Sequence, residues 1–477
     1  MTFSSVAFLF YFLPAFLAVY YLIPRKLEHA TQMRNLWLLL ASLVFYAWGA
    51  PRFIFILVTS TIIDFFLVRR MSVSQGVTRK RWLIASLVMN LGLLMVFKYA
   101  DFFTATAMGI AGKEWSGWGL ALPIGISFYT FQTLTYALDV YRRDEAPLER
   151  LADYLVYILS FPQMIAGPIV RFGKVAREIR QRESTGEDRL QGLYRFSIGL
   201  AKKMLIANPL GLVAAGVFDT SFSGTSQSAA WMALVAYHFQ IYYDFSGYSD
   251  MAIGLGRMMG FRFPENFRSP YVSRTITEFW QRWHITLGTF MRDYLYIPLG
   301  GNRSRTASRR YFNLVVVFFA SGLWHGAAWN FILWGGAHGA LILLERVALM
   351  AWIDKRPRII GMLYMHFSLL LTWVLFRIED LDVIATAFKT LFAGRPPACD
   401  WHRALTDGDW VLIAVAAFFA YFSAFNIGER IERGLFERPV LSRQQHMFML
   451  PMATVLLLLG SIEVLGTDFN PFIYFRF

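Results

Sequence analysis

Cysteine is nearly absent: the 477-residue chain carries one, Cys399, so neither an internal disulfide framework nor a redox pair of thiols can be built. Charge is also scarce. Asp, Glu, Lys and Arg together make up 16% of the chain against 56% hydrophobic and 17% aromatic residues, with a mean hydropathy of +0.43. Such a balance excludes an ordinary soluble protein and reads as a polytopic membrane protein. No H-E-x-x-H and no Cys/His cluster occurs, so no metal is expected. In "GLGRMMG", Gly254, Gly256 and Gly260 miss the G-x-G-x-x-G spacing and no βαβ pattern surrounds them, which removes a dinucleotide site. There is no internal repeat, low-complexity tract or long linker. One membrane-embedded domain over 1–477 is expected, and a transporter or export channel, which would favour inverted repeats, is disfavoured.

What is present is a series of apolar runs. A spanning helix needs about 20 such residues. Hydropathy places spans near 6–23, 36–48, 53–68, 82–97, 119–138, 197–217, 229–247, a hairpin over 313–345, then 359–376, 410–426 and 447–465, an all-α bundle of about 11–12 transmembrane helices. The opening "MTFSSVAFLFYFLPAFLAVYYLI" lacks a basic n-region and a small-x-small cleavage site, so it is expected to be a retained first span.

The net charge of +14 raises the question of a nucleic acid, and the position of the bases answers it. Loops 24–35, 69–82, 139–150, 169–195, 257–312, 346–358 and 427–446 hold 36 of the 46 Lys and Arg residues. One topology, with the N-terminus outside and these loops in the cytoplasm, accounts for that bias and leaves no need for nucleic acid. It requires that 151–168, "LADYLVYILSFPQMIAGP", enter and return without crossing, which Pro162, Gly167 and Pro168 permit.

The largest insertion, about 256–311, alternates aromatic and amphipathic stretches with arginines and is expected at the cytoplasmic interface, in contact with membrane lipids. It contains "TEFWQRWHITLGTFMRDYLYIPLGG", with His284 after Trp280, Arg282 and Trp283. The hairpin over about 313–345 contains "GLWHGAAWNFILWGGAHG", with His325 and His338. Thirteen residues separate these histidines, about 220° on a helix, so they would not share a face as a metal pair. Gly322, Gly326, Gly335, Gly336 and Gly339 suit close helix approach. For each histidine the alternatives are a hydrogen bond to a neighbouring helix or a functional group, and ionisable residues at membrane depth favour function at His325. In "YYDFSGYSDMAIG", Asp244 either orients His284 or His325 or closes a helix with a neighbouring arginine.

Taken together, "FSSVAFLFYFLP", "LPIGISFYTFQTLTYALDVYR", "FPQMIAGPIVRF", "GLAKKMLIAN", "YYDFSGYSDMAIGLGRMMGFRFPENFRSPY", "SRTITEFWQRWHITLGTFMRDYLYIPLGGNR" and "GLWHGAAWNFILWGGAHG" resemble the membrane-bound O-acyltransferases, in particular the bacterial alginate and polysaccharide O-acetylase branch. The resemblance covers almost the whole chain. It implies that His325, in the W-H-G element, is catalytic and His284 a second functional position. It also implies an acyl donor bound from the cytoplasm, expected to be acetyl-CoA, and a target on the far side of a bacterial inner membrane. Arg282, Arg292 and Arg303 are then expected to meet the coenzyme phosphates, with Trp283 for stacking and Asp244 and Asn330 behind the site.

The last residues, 470–477, include "PFIYFRF". They form either an aromatic belt or, by resemblance to the tails of partner peptides in D-alanine transfer, a relay in which Tyr474 carries the acyl group to a periplasmic SGNH-type transferase. Partners in a polysaccharide synthesis and export complex follow from the same resemblance. The acceptor stays open among alginate, cellulose, peptidoglycan and teichoic acid.

Overall fold

The computed structural model describes residues 1–24, 26–304, 306–393, 405–436, 438–466 and 472–473; Tyr474 and most of the 470–477 tail lie outside them. Among the described residues the regular structure is helical, with no strand and one isolated bridge, Phe267 to Trp283. Among the described residues seven helices are long and apolar enough to cross a membrane: Pro51–Val73, Gly76–Ile110, Gly186–Phe218, Trp329–Asp354, Arg358–Arg377, Asp407–Ala424 and Arg443–Gly466. The architecture is the all-α polytopic one. The other expected spans form helices that are shorter, such as Ala7–Leu22, or more polar, such as Gln227–Met259 with its Asp244, Asp250 and Arg257.

By internal contacts one compact unit is built mainly from Met1–Ile198 and Tyr248–Pro264, and another mainly from Gly199–Gly247 and Glu265–Glu463. In the first unit, segment 151–168 folds as Leu151–Leu159 and Phe161–Met164, broken at Ser160, and neither helix has the length of a span. Its anchor is Phe161. The rings of Phe3, Phe8, Phe12, Phe16 and Phe45 surround it with centroids 5.1–6.4 Å away, and its amide donates to Ser42 Oγ at 3.0 Å. Gly125, at φ +77°, begins the next contact: a Cβ there would lie 2.9 Å from Met164 O. Only glycine fits both constraints. Buried Asp64 joins three helices of this unit, accepting from Ser86 Oγ at 2.5 Å, Asn90 Nδ2 at 2.7 Å and Tyr154 OH at 2.5 Å.

The second unit holds the helical hairpin, Ala307–His325 and Trp329–Leu344. Thr306 starts it by accepting from Arg309 N, which satisfies one otherwise orphaned amide of the first turn. The two helices approach closely: a Cβ on Gly322 would sit 2.4 Å from Phe331 O, and one on Gly335 would sit 2.4 Å from Phe318 O. Small residues are therefore obligatory at that crossing, as the glycine spacing suggested. At the far end, buried Glu345 reaches the helix Ile276–Arg282 and accepts from Ile276 N at 2.5 Å, Thr277 N at 2.9 Å and Thr277 Oγ1 at 2.5 Å. A carboxylate on the otherwise unpaired amides of a helix start is favourable in charge and geometry, at roughly 1.5–3 kcal/mol per charged hydrogen bond. It fixes the "FWQRW" helix to the hairpin.

Candidate active site

His325 ends the helix Ala307–His325 and is 3% exposed, held by the rings of Trp324 at 4.8 Å, Trp334 at 4.8 Å and Phe376 at 5.2 Å. The helix stops there because Gly326 turns to extended backbone and leaves the imidazole at the hairpin's turn. His284 approaches from the insertion. Its ring lies 5.8 Å from Trp324, so one indole touches both imidazoles.

The backbone at His284 is left-handed, with φ 47° and ψ 50°, between helices Ile276–Arg282 and Ile285–Phe290. Such a conformation in a non-glycine residue is costly and clusters at functional sites. Here the surroundings impose it. Asn266 Oδ1 is 3.0 Å from His284 Nδ1 and accepts from Thr286 Oγ1 at 2.8 Å and Thr286 N at 3.3 Å. Because the Thr286 amide can only donate, the atom it meets is the amide oxygen, and His284 Nδ1 must donate to it as well. In the neutral ring Nε2 then carries a lone pair. That nitrogen is buried and has no hydrogen-bond partner among the described residues. Burial pushes the His284 imidazole down to about 3, so it stays neutral at physiological pH.

His338 lies one helical turn after Trp334, and the two rings meet at 4.9 Å. Trp280 Nε1 donates to His338 Nδ1 at 3.2 Å. The expected hydrogen bond between His338 and a neighbouring helix is thus present, with Trp280 as its donor, and Trp334 lies in contact with both His325 and His338. Among the described residues no group of His, Cys, Asp and Glu forms a potential metal site.

The remaining expected residues are dispersed around this core. Asp244 forms an ion pair with Lys203 Nζ at 2.6 Å, a lysine in place of the expected arginine, both side chains at most 5% exposed. Asn330 Nδ2 donates to Leu375 O at 3.0 Å and ties the hairpin to helix Arg358–Arg377. Trp283 is 1% exposed and stacks on Tyr271 and Phe279, within the protein core. Arg282 pairs with Glu278 at 3.0 Å, Arg292 is exposed and pairs with Asp293 at 2.7 Å, and exposed Arg303 ends a short turn over Gly301–Arg303.

Sequence reasoning missed Asn266, which lies in "PENFRSPY" without any motif that marks it as a partner of His284. It also missed a second imidazole pair in this unit. Trp373 Nε1 donates to His238 Nδ1 at 3.1 Å, so His238 Nε2 donates to His366 Nδ1 at 3.1 Å, and His366 Nε2 donates to Tyr271 O at 2.9 Å. This chain orders the rings behind Trp283, which touches Trp373 at 5.6 Å.

Comparison with known proteins gives a consistent neighbourhood. The model of the membrane-bound O-acyltransferase family matches residues 4–376. The chain is 42% identical over 421 residues to the probable alginate O-acetylase of Azotobacter vinelandii, covering 86% of this chain and 79% of that protein. It is 38% identical to the probable alginate O-acetylase of Pseudomonas putida across both full lengths. With the peptidoglycan O-acetyltransferase of Helicobacter pylori it shares 37% identity over 422 residues, covering 82% of this chain and 79% of the other.

Proposed function

Because this chain belongs to the membrane-bound O-acyltransferase family, an acyltransferase and a multi-pass membrane protein, we propose that it takes acetyl from cytoplasmic acetyl-CoA and delivers it across the inner membrane for O-acetylation of an exported, alginate-like polysaccharide. The observation that carries this reading is the placement of His325 and His284 on one indole, both buried and held in aromatic walls. O-acylation needs a hydroxyl deprotonated beside a thioester carbonyl, and a neutral imidazole is suited to that step. In our reading His325 takes the proton. His284, fixed by Asn266 with its Nε2 lone pair available, accepts a hydrogen bond and orients the hydroxyl.

Arg282, Arg292 and Arg303 are the proposed contacts for the coenzyme phosphates. A periplasmic SGNH-type transferase completes delivery to the polymer. The similarity to the Helicobacter pylori enzyme supports peptidoglycan as a second acceptor. Inverted membrane vesicles given radiolabelled acetyl-CoA test the reading. Label should accumulate in lumenal polymer when the synthase and the partner transferase are present. Consumption of acetyl-CoA without any O-linked label on polymer or protein would sink it.

A further inference from the structure

The hairpin contains two buried N–H donors that the base chemistry does not use. Trp334 Nε1 can only donate, its residue is 1% exposed, and it has no acceptor among the described residues. His338 is fully buried. Since Trp280 donates to its Nδ1, a neutral His338 must carry its proton on Nε2, and that nitrogen too has no partner among the described residues. The two residues stand four apart on one helix face, rings 4.9 Å apart, and Trp334 lies against His325 at 4.8 Å.

Buried indole and imidazole N–H groups normally find an acceptor in the protein. Acyl transfer generates an acceptor next to the base, the carbonyl oxygen as it turns tetrahedral. We propose that Trp334 and His338 are the N–H donors to the oxygen of the transferred acyl group, and that Trp280 is a positioning residue that holds His338 in the donating tautomer. This deepens, and rests on, the proposed role of His325. The acceptor oxygen bonds to the thioester carbon as its proton passes to His325. The carbonyl π pair moves onto oxygen, which accepts from Trp334 Nε1 and His338 Nε2. As that pair returns, the C–S bond breaks and the coenzyme thiolate takes the proton from His325.

Trp334→Phe keeps an aromatic ring and removes the donor. The expected result is a fall in kcat of about 10²-fold, with acetyl-CoA binding and the thermal midpoint in detergent close to wild type. A structural role alone would not alter selectivity between oxygen and sulfur at the reacting carbon. The ratio of turnover on acetyl-CoA to turnover on the dithioacetate of coenzyme A, whose C=S accepts hydrogen bonds poorly, should therefore fall in this variant. Unchanged kcat, or a lowered kcat with an unchanged ratio, overturns the proposal. Should Trp334→Phe not fold, Trp280→Phe gives the same readout through the His338 tautomer: a loss of kcat with a reduced ratio supports the donors, and wild-type values overturn them. His325→Ala read in parallel separates the two ideas, because an active His325→Ala refutes the base whatever Trp334 does.

Discussion

Asn266 Oδ1 accepts from His284 Nδ1 at 3.0 Å, and its bonds to Thr286 fix it as the oxygen end of the amide, so a residue 18 positions upstream decides which nitrogen of His284 bears the proton. Asn266→Asp keeps the acceptor and adds a charge. A carboxylate there favours the imidazolium and raises the His284 pKa from about 3 toward the working range. Transfer by the variant should then decline as pH falls below that new value, so that its acid limb lies at higher pH than that of wild type. The measurement is kcat/KM between pH 5 and 8; superimposable profiles would remove the link between Asn266 and the function of His284.

The same imidazole predicts a pH dependence of stability. His284 titrates near 6.5 in an unfolded chain and at about 3 in the fold, so between these values only the unfolded chain binds the proton. The contribution is complete above pH 6.5 and is lost as pH falls toward 3. At pH 5 the loss amounts to about 2 kcal/mol. His284→Asn tolerates the left-handed backbone and cannot titrate. Its thermal midpoint in detergent should drop less than that of wild type between pH 7.5 and pH 5, and an equal drop in both would contradict the assignment.

How much of this was legible depended on distance along the chain. The span expected over 53–68 is Pro51–Val73, and the hairpin expected over 313–345 is Ala307–His325 with Trp329–Leu344, because apolar runs and glycine spacing are local signals. The span expected from 119 starts only at Ile126, since Pro123 and the left-handed Gly125 bar an earlier start. The helix Leu381–Leu391 has a local cue, Asp380 accepting from Asp382 N and Val383 N, but at 11 residues it is too short to register as a span. His325 and His284 were identified through resemblance to a family. Their mutual arrangement was not, for it depends on Trp324 touching both rings, on Asn266, and on Trp280 reaching His338 across 58 residues.

His325→Ala tests the base. The ring leaves a space among Trp324, Trp334 and Phe376, yet the helices and the arginine-bearing insertion are retained, so insertion and acetyl-CoA binding should persist. Acetylation should fall by 10²–10⁴-fold, the range for a positioned general base, about all of it in kcat. Retention of more than about a tenth of wild-type turnover would rule the role out.

Sidedness follows from the basic loops. In a Cys399→Ser background, a cysteine at Ser304 should react with impermeant reagent applied from the cytoplasm and one at Thr406 with reagent applied from the periplasm. Thr406 caps helix Asp407–Tyr421 through Asp409 N, so its replacement costs about 1 kcal/mol and should leave the fold intact. Reaction from the opposite side at either position would overturn the proposed cytoplasmic face for the donor.

Tyr474 distinguishes a relay from direct transfer. A phenol with pKa near 10 is protonated at neutral pH, so acylating it requires a base, and His325 is the one proposed. With labelled acetyl-CoA and no downstream transferase, label should remain on the protein and map to the C-terminal peptide. Tyr474→Phe preserves the ring and removes the nucleophile, and His325→Ala preserves the nucleophile and removes the base; both should lose the label. Normal polymer acetylation by Tyr474→Phe would instead mean that acetyl passes from coenzyme A past His325 straight to the partner or the acceptor, leaving "PFIYFRF" as an aromatic belt at the membrane surface.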